Sequence, residues 1–227
     1  DLHLSLRRQR QMCIRDRFEF IIKKYYPDFN RILKRYGSVQ IRNVATLGGN
    51  MATASPIGDS LPLLLSLDAS IAIESFNKKM VMPLKDFFTG YRKTKLKKGQ
   101  FISSIRIPIF KQNIFKAYKI SKRIDDDISS VCASFNLAIE NKKIKNIKIA
   151  YGGMAATPKR AVYCEKILLN SNFSEDIILK AQKSLEKDFQ PIDDMRASKD
   201  YRVEIAKNLL TKCFAEIKKN KLIRLSY

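Results

Sequence analysis

The segment QIRNVATLGGNMATASPIGDSLPLLLSLDA, from Gln40 to Ala69, contains two glycine-bearing turns followed by an apolar run. The first turn, TLGGN at 46–50, is predicted to follow a short strand, and its two glycines let backbone N–H groups approach an anion such as phosphate. The second turn, SPIGD at 55–59, leads into a predicted helix whose N-terminus is expected to point toward the same place. On spacing alone, two ordinary turns beside a buried helix are the commoner explanation of such a pattern.

The flanking sequence of the first half alternates between helix and strand patterns. Residues 18–38 carry apolar side chains at helical spacing and predict a helix that stops at Gly37. After Ala69, SIAIES alternates as a strand, residues 77–79 are predicted as a turn, and residues 101–107 alternate as a further strand that ends before Pro108.

The second half has a different order of elements. FKAYKISKR from Phe115, SSVCASFNLAIE and IKNIKIAYGG predict an antiparallel meander with one buried face. Three helices are predicted next, with caps at Thr157, Ser174 and Ser198. Strands followed by helices predict an α+β fold rather than a doubly wound sheet. We therefore expect a first, partial domain over residues 18–112 and a second domain over residues 113–227.

Composition excludes several classes of protein. The 227 residues carry a formal charge of +22 and are 45% hydrophobic, which excludes a disordered or low-complexity chain. No apolar run approaches the ~20 residues that span a bilayer, and the arginine-bearing N-terminus lacks a secretory core, so we expect a cytoplasmic protein without membrane contact. The lysines are dispersed and predict solvated surfaces. A basic nucleic-acid-binding protein is kept as an alternative, although no recognition motif accompanies the charge.

Histidine and cysteine usage limits the chemistry. The closest of the four cysteines are 32 residues apart and His3 is the only histidine, so we predict no metal site, bound iron–sulfur cluster or His-based triad. Residues 1–17 contain five Arg and no Lys, and SLRRQRQMCIRDR resembles a translated sequencing adapter. We predict a non-native segment over 1–17, with a genuine basic arm as the alternative.

Longer motifs carry a resemblance to a known family. IRNVATLGGNMATASPIGDSLPLLLSLDA is similar to the FAD-binding signature of the molybdenum hydroxylase flavoproteins, and YRKT (91–94), KRIDDDIS (122–129), YGGMAATPKRA (151–161) and DDMRASKDYR (193–202) extend the similarity. The motifs most resemble the xanthine dehydrogenase group. The resemblance implies a partial FAD-binding domain of the vanillyl-alcohol-oxidase/PCMH type, followed by a C-terminal domain of antiparallel strands packed with helices. The family's second phosphate loop is missing, which implies an N-terminally truncated chain that binds FAD poorly alone.

The resemblance also implies a set of site residues. The turn 46–50 and Ser55 would hold the diphosphate, and Asp59 would accept hydrogen bonds from cofactor hydroxyls. Tyr36 would pack on the cofactor, while Ile102 and Lys119 would line the flavin. The acidic run 125–127 is either a loop near the flavin or a solvated turn. No catalytic or metal-binding side chain is predicted, and the implied cofactor-binding set is Tyr36, Thr46, Leu47, Gly48, Gly49, Asn50, Ser55, Asp59, Ile102 and Lys119.

The function implied by this resemblance is that of a FAD-binding component of a molybdenum hydroxylase, most similar to xanthine dehydrogenase. Electrons would pass from iron–sulfur clusters through FAD to NAD, with the molybdenum cofactor on a large subunit and a dimer of such complexes. The flavoprotein of a carbon monoxide, aldehyde or aromatic-acyl hydroxylase is an alternative within the class. A flavin-free subunit kept for assembly is an alternative outside it.

Overall fold

The computed structural model describes residues 18–220, so the segment 1–17 that we predict to be foreign lies outside the described residues. The helices are α1 (Glu19–Tyr25), α2 (Pro27–Lys34), α3 (Val39–Val44), α4 (Leu47–Thr53), α5 (Ser60–Ser66), α6 (Val162–Leu168), α7 (Glu175–Asp188) and α8 (Lys199–Lys219). The strands are β1 (Ser70–Glu74), β2 (Lys79–Pro83), β3 (Phe88–Gly90), β4 (Lys93–Thr94), β5 (Phe101–Arg106), β6 (Ile114–Ile120), β7 (Val131–Glu140), β8 (Lys143–Gly152) and β9 (Lys159–Arg160). The prediction of an α+β fold is confirmed.

The first half contains a three-stranded antiparallel sheet in the order β2-β1-β5, and residues of this sheet and of helices α1, α2, α4 and α5 form the first core, to which α3 contributes no buried residue. The predicted single helix over 18–38 is wrong, because Tyr26 leaves helical geometry and a new helix begins at Pro27. Proline disfavours helical backbone at the residue before it and is well suited to a first helical turn. The phenol of Tyr26 donates to the carbonyl of Pro108 at 2.6 Å, which ties the break to the end of β5.

The predicted turn at 46–50 is also wrong as secondary structure. Helix α3 stands where a short strand was expected, and Leu47 begins helix α4 rather than a tight turn. Thr46 caps this helix, since its Oγ1 accepts from the backbone N–H of Gly49 at 3.0 Å. The two glycines therefore lie in a first helical turn, where a threonine cap offsets their low helix propensity.

The second half is a four-stranded antiparallel sheet in the order β6-β7-β8-β9. Helices α6–α8 cover one face and form the second core with it. The prediction of a single buried face is wrong for β7, whose first seven residues are all buried. Helix α5 lies on the opposite face, where Ser134 and Asn136 of β7 donate to the carbonyls of Pro62 and Ser66 at 2.7 and 3.1 Å.

Two of the three helices predicted for the second half begin at the predicted residue. Ser174 and Ser198 immediately precede α7 and α8 as predicted. The hydroxyl of Ser198 accepts from the N–H of Tyr201, but the side chain of Ser174 makes no capping hydrogen bond. Thr157 does not cap a helix, because the chain first adds the short strand β9 beside β8 and α6 begins at Val162. Within residues 18–220, no helix combines the length and hydropathy that crossing a membrane requires.

Candidate functional site

A cavity of about 410 Å³ lies between helix α1, the start of helix α4 and strand β5. Tyr25 and Tyr26 contribute aromatic rings, and β5 with the residues after it contributes a row of isoleucines. Four residues of the predicted site line this space, namely Thr46, Leu47, Gly48 and Ile102. The cavity is thus mostly apolar, with one end formed by the first turn of a helix.

The first turn of α4 is built around Thr46. Its side chain accepts from the N–H of Gly49, and its carbonyl accepts from the N–H of Asn50 at 3.0 Å. A Cβ added to Gly49 would lie 3.0 Å from Thr46 Oγ1, so a larger residue would disturb the cap. The glycines of this turn therefore keep the backbone accessible and the cap intact.

Asn50 faces away from the cavity toward the start of α5. Its Nδ2 donates to the phenol oxygen of Tyr36 at 2.7 Å, and its Oδ1 accepts from Ser60 Oγ. Burial, together with the nearby negative charge of Asp59, raises the pKa of Tyr36. Ser55 contributes its carbonyl to the N–H of Gly58 at 3.1 Å. Tyr36, Asn50 and Ser60 thus form a hydrogen-bonded cluster that joins α4 to the start of α5, and Ser55 closes the adjacent turn 55–58 through its backbone carbonyl.

Asp59 and Lys119 form a buried ion pair that joins the two halves of the chain. Lys119 Nζ lies 2.6 Å from Asp59 Oδ2 and donates also to the carbonyl of Arg35 at 3.0 Å. Asp59 Oδ1 accepts from Ser129 Oγ. The Cys132 thiol lies 3.6 Å from the backbone carbonyl of Asp59. Burial, and to a smaller extent the negative charge of Asp59, raises the pKa of this thiol. Both predicted charges are therefore satisfied by protein groups in this arrangement.

The acidic run 125–127 is exposed or half-buried and is ordered largely by its own backbone. The carboxylate of Asp127 accepts from the N–H groups of Arg123 and Ile128 at 2.8 Å each, and these hydrogen bonds lower its pKa. The loop is tied to the ion pair through Arg35, whose Nε donates to the carbonyl of Ile124 at 2.8 Å.

Three groups that build this region are absent from the predicted set of site residues. Arg35 links Lys119 to the acidic loop, Ser129 occupies the second oxygen of Asp59, and helix α1 supplies one wall of the cavity. Ser129 ends the motif KRIDDDIS, and Arg35 precedes Tyr36, so adjacency to predicted residues was the available signal. Their long-range partners could not be read from spacing.

Two protein-family models match the chain. Residues 14–110 match the FAD binding domain in molybdopterin dehydrogenase, and residues 116–217 match the CO dehydrogenase flavoprotein C-terminal domain. With both halves matched in order, the chain belongs to the molybdenum hydroxylase flavoprotein family, as the sequence motifs predict.

Individual relatives cover the chain to different extents. It is 37% identical over 161 residues to xanthine dehydrogenase of Emericella nidulans, covering 69% of this chain but only 12% of that protein. It is 28% identical over 197 residues to the glyceraldehyde dehydrogenase medium chain of Sulfolobus acidocaldarius, covering 87% of this chain and 70% of the relative. Carbon monoxide dehydrogenase from Hydrogenophaga pseudoflava has the same fold, with a TM-score of 0.79 at 24% identity over 84% of this chain and 66% of its own.

Proposed function

We propose that this chain is a FAD-binding component of a molybdenum hydroxylase and that residues of the cavity between α1, α4 and β5 hold the cofactor. The observation that carries the proposal is the match of residues 14–110 to a FAD-binding family model, within which Thr46, Gly48 and Ile102 line one cavity. We divide the chain functionally into a partial FAD-binding domain over 18–112 and a C-terminal domain over 113–227.

The residues of the cavity fit part of such a cofactor. Its volume of about 410 Å³ lies within the 300–1,000 Å³ typical of small-molecule sites. The isoleucines and tyrosines suit a flat, largely apolar ring, and backbone N–H groups of the glycine-rich turn beside Thr46 suit an anionic diphosphate. The donor chemistry is therefore appropriate at both ends of the space.

The remaining predicted residues have indirect or conditional roles in this proposal. Asn50 and Tyr36 hold α4 in place, and Ser55 shapes the turn before Asp59. Asp59 and Lys119 do not line the cavity and contact each other instead. We propose that they contact cofactor hydroxyls and the flavin once their ion pair opens.

FAD, when bound, supplies the two-electron chemistry that connects iron–sulfur clusters to NAD. The chain's own residues bind and orient the cofactor, and none is assigned a role as acid or base. In this proposal the iron–sulfur clusters and the molybdenum cofactor belong to partner parts, the complex is a dimer in the cytoplasm, and no nucleic acid or membrane takes part.

Among the possible complexes, we favour a xanthine dehydrogenase. The support is the 37% identity to the Emericella nidulans enzyme. A second candidate is the flavoprotein of an aldehyde hydroxylase, because the glyceraldehyde dehydrogenase medium chain is matched over 70% of its length. Co-purification of the chain with its molybdenum-containing partner, followed by assays with xanthine and with glyceraldehyde, separates the two.

The binding proposal is tested by equilibrium dialysis of the 227-residue chain against FAD and against riboflavin, from micromolar to millimolar concentrations. We expect FAD to bind at least about tenfold more tightly, a factor of about 1.4 kcal/mol, because only FAD offers a diphosphate to the turn beside Thr46. Equal affinities for FAD and riboflavin would show that the turn beside Thr46 does not bind the diphosphate. Absence of FAD binding up to millimolar concentrations would reject the binding proposal for this chain.

A further inference from the structure

The side chain of Arg202, in the first turn of α8, is almost fully buried and bridges three segments. Its Nη1 donates to the carbonyls of Ser130 and Gly153, the latter at 2.9 Å, and its Nη2 donates to Asp194 Oδ1 at 2.7 Å. Among residues 18–220, Nε has no hydrogen-bond partner. Burial of this charge therefore depends on the two terminal nitrogens and on the fixed planar geometry of the guanidinium.

Gly153 brings the end of β8 against two other segments. Its φ of +84° is accessible to glycine, and a Cβ would collide with the carbonyl of Ser130. Its N–H donates to the carbonyl of Pro56 at 2.8 Å. A Cβ on the preceding Gly152 would also lie only 3.2 Å from that carbonyl. The paired glycines of YGGMAATPKRA thus permit a close approach to the turn before Asp59.

Two short chains of contacts lead from Arg202 to the segment 55–59. One runs through the carbonyl and N–H of Gly153 to Pro56. The other runs through the carbonyl of Ser130 to the adjacent Ser129, whose hydroxyl donates to Asp59. Both paths end on residues that flank or carry the charge of the buried ion pair.

We propose that Arg202 is a positioning residue that holds the segment 55–59, and Asp59 in particular, from the far end of the chain. This proposal rests on the proposed function in one respect, namely that the segment 55–59 belongs to the FAD-binding site. This role would link the motifs YGGMAATPKRA and DDMRASKDYR, because Arg202 of the second motif donates a hydrogen bond to the carbonyl of Gly153 in the first. The C-terminal domain would then contribute to the cofactor site without lining the cavity.

A purely structural role for Arg202, in anchoring the start of α8, predicts a different result when the residue is changed. Loss of such an anchor would destabilise the second core as a whole, which holds Cys164 and Cys213. Loss of positioning would instead open the region around Asp59, where the buried Cys132 thiol lies against the Asp59 carbonyl. The three buried thiols therefore report local and general opening separately.

The experiment uses Arg202→Lys, which retains a positive charge but cannot serve two carbonyls and a carboxylate with the same geometry. Arg160→Lys is the matched control, because the charged partners of Arg160 are Glu165 and Asp68 rather than members of the Asp59–Lys119 pair. The 227-residue chain is labelled with iodoacetamide under native conditions, and each cysteine is followed by peptide mass spectrometry.

We expect Arg202→Lys to accelerate labelling of Cys132 at least about tenfold more than that of Cys164 and Cys213, equivalent to about 1.4 kcal/mol of local opening. Arg160→Lys should leave Cys132 protected relative to the other two. Equal acceleration of all three thiols, or no acceleration of Cys132, would overturn the proposal.

A second variant protects the test against failure of Arg202→Lys to fold. Ser129→Ala removes only the hydroxyl that joins this path to Asp59, and it should also expose Cys132 selectively. Continued protection of Cys132 in Ser129→Ala would reject the path. FAD dialysis of the same variants separates the two proposals. Selective exposure of Cys132 without FAD binding by the wild type would reject the proposed function alone, whereas selective exposure with unchanged FAD affinity would reject cofactor positioning.

Discussion

Removing the charge of Asp59 or of Lys119 alone should lower the stability of the fold more than removing both charges together. At 2.6 Å and an effective dielectric of about 20, the gross attraction between the charges is about 6 kcal/mol, and desolvation of both groups offsets much of it. Asp59→Asn replaces the carboxylate with a neutral amide, so the Lys119 ammonium keeps uncharged acceptors such as the Arg35 carbonyl but loses its counter-charge. Lys119→Met leaves the carboxylate with Ser129. Each single change should cost about 3–5 kcal/mol of unfolding free energy.

The assay is equilibrium urea denaturation of the wild type, both single variants and the double variant. Because the double variant buries no unpaired charge, we expect it to be at least about 2 kcal/mol more stable than the sum of the single losses predicts. Matched m-values would show that the four proteins unfold over the same surface. Additive losses would mean that the stabilities contributed by the two side chains do not depend on each other, contrary to an ion pair.

Two further predictions concern pH and helix capping. Burial alone would raise the pKa of Asp194, but two backbone N–H groups and the Arg202 guanidinium together hold it below the ordinary 3.8. The contribution of ionised Asp194 to stability is therefore present above about pH 4 and lost as the pH falls further. Asp194→Asn should thus flatten the acid limb of the curve of unfolding free energy against pH. An unchanged acid limb would show that Asp194 does not contribute to it. Thr46→Val removes the acceptor of the Gly49 N–H and should cost about 1 kcal/mol in urea denaturation, whereas Thr46→Ser should cost much less; equal losses would exclude the cap.

The fold class was predictable because hydrophobic alternation survives in the antiparallel strands. Strands β5–β8 lie close to the segments that alternate in the sequence, and Ser198 caps α8 through its hydroxyl, whereas Ser174 precedes α7 without a capping hydrogen bond from its side chain. The errors have local causes. Pro27 divides a continuous helical pattern, and the strand β9 intervenes between Thr157 and the next helix because β8 offers it a free edge.

The candidate site was predictable as a set of residues, but its arrangement was not. The sequence motifs predict Thr46, Ile102, Asp59 and Lys119 as members of one site. In the structure, Thr46 and Ile102 line the cavity, whereas Asp59 and Lys119 pair with each other outside its lining. A sequence pattern indicates which groups are available. It does not show that a carboxylate's strongest partner is an ammonium 60 residues away.

The FAD affinity of Gly48→Asp decides whether FAD occupies the cavity beside Thr46. Gly48 lines the cavity, so a carboxylate there would face the diphosphate, while an acidic residue in a first helical turn is compatible with folding. Gly90→Asp is the matched control, because a Cβ at that strand position has ordinary space. We predict that Gly48→Asp keeps wild-type urea stability within about 0.5 kcal/mol and binds FAD at least about tenfold more weakly, whereas Gly90→Asp binds as the wild type does. Unchanged FAD affinity in a folded Gly48→Asp chain would contradict the account.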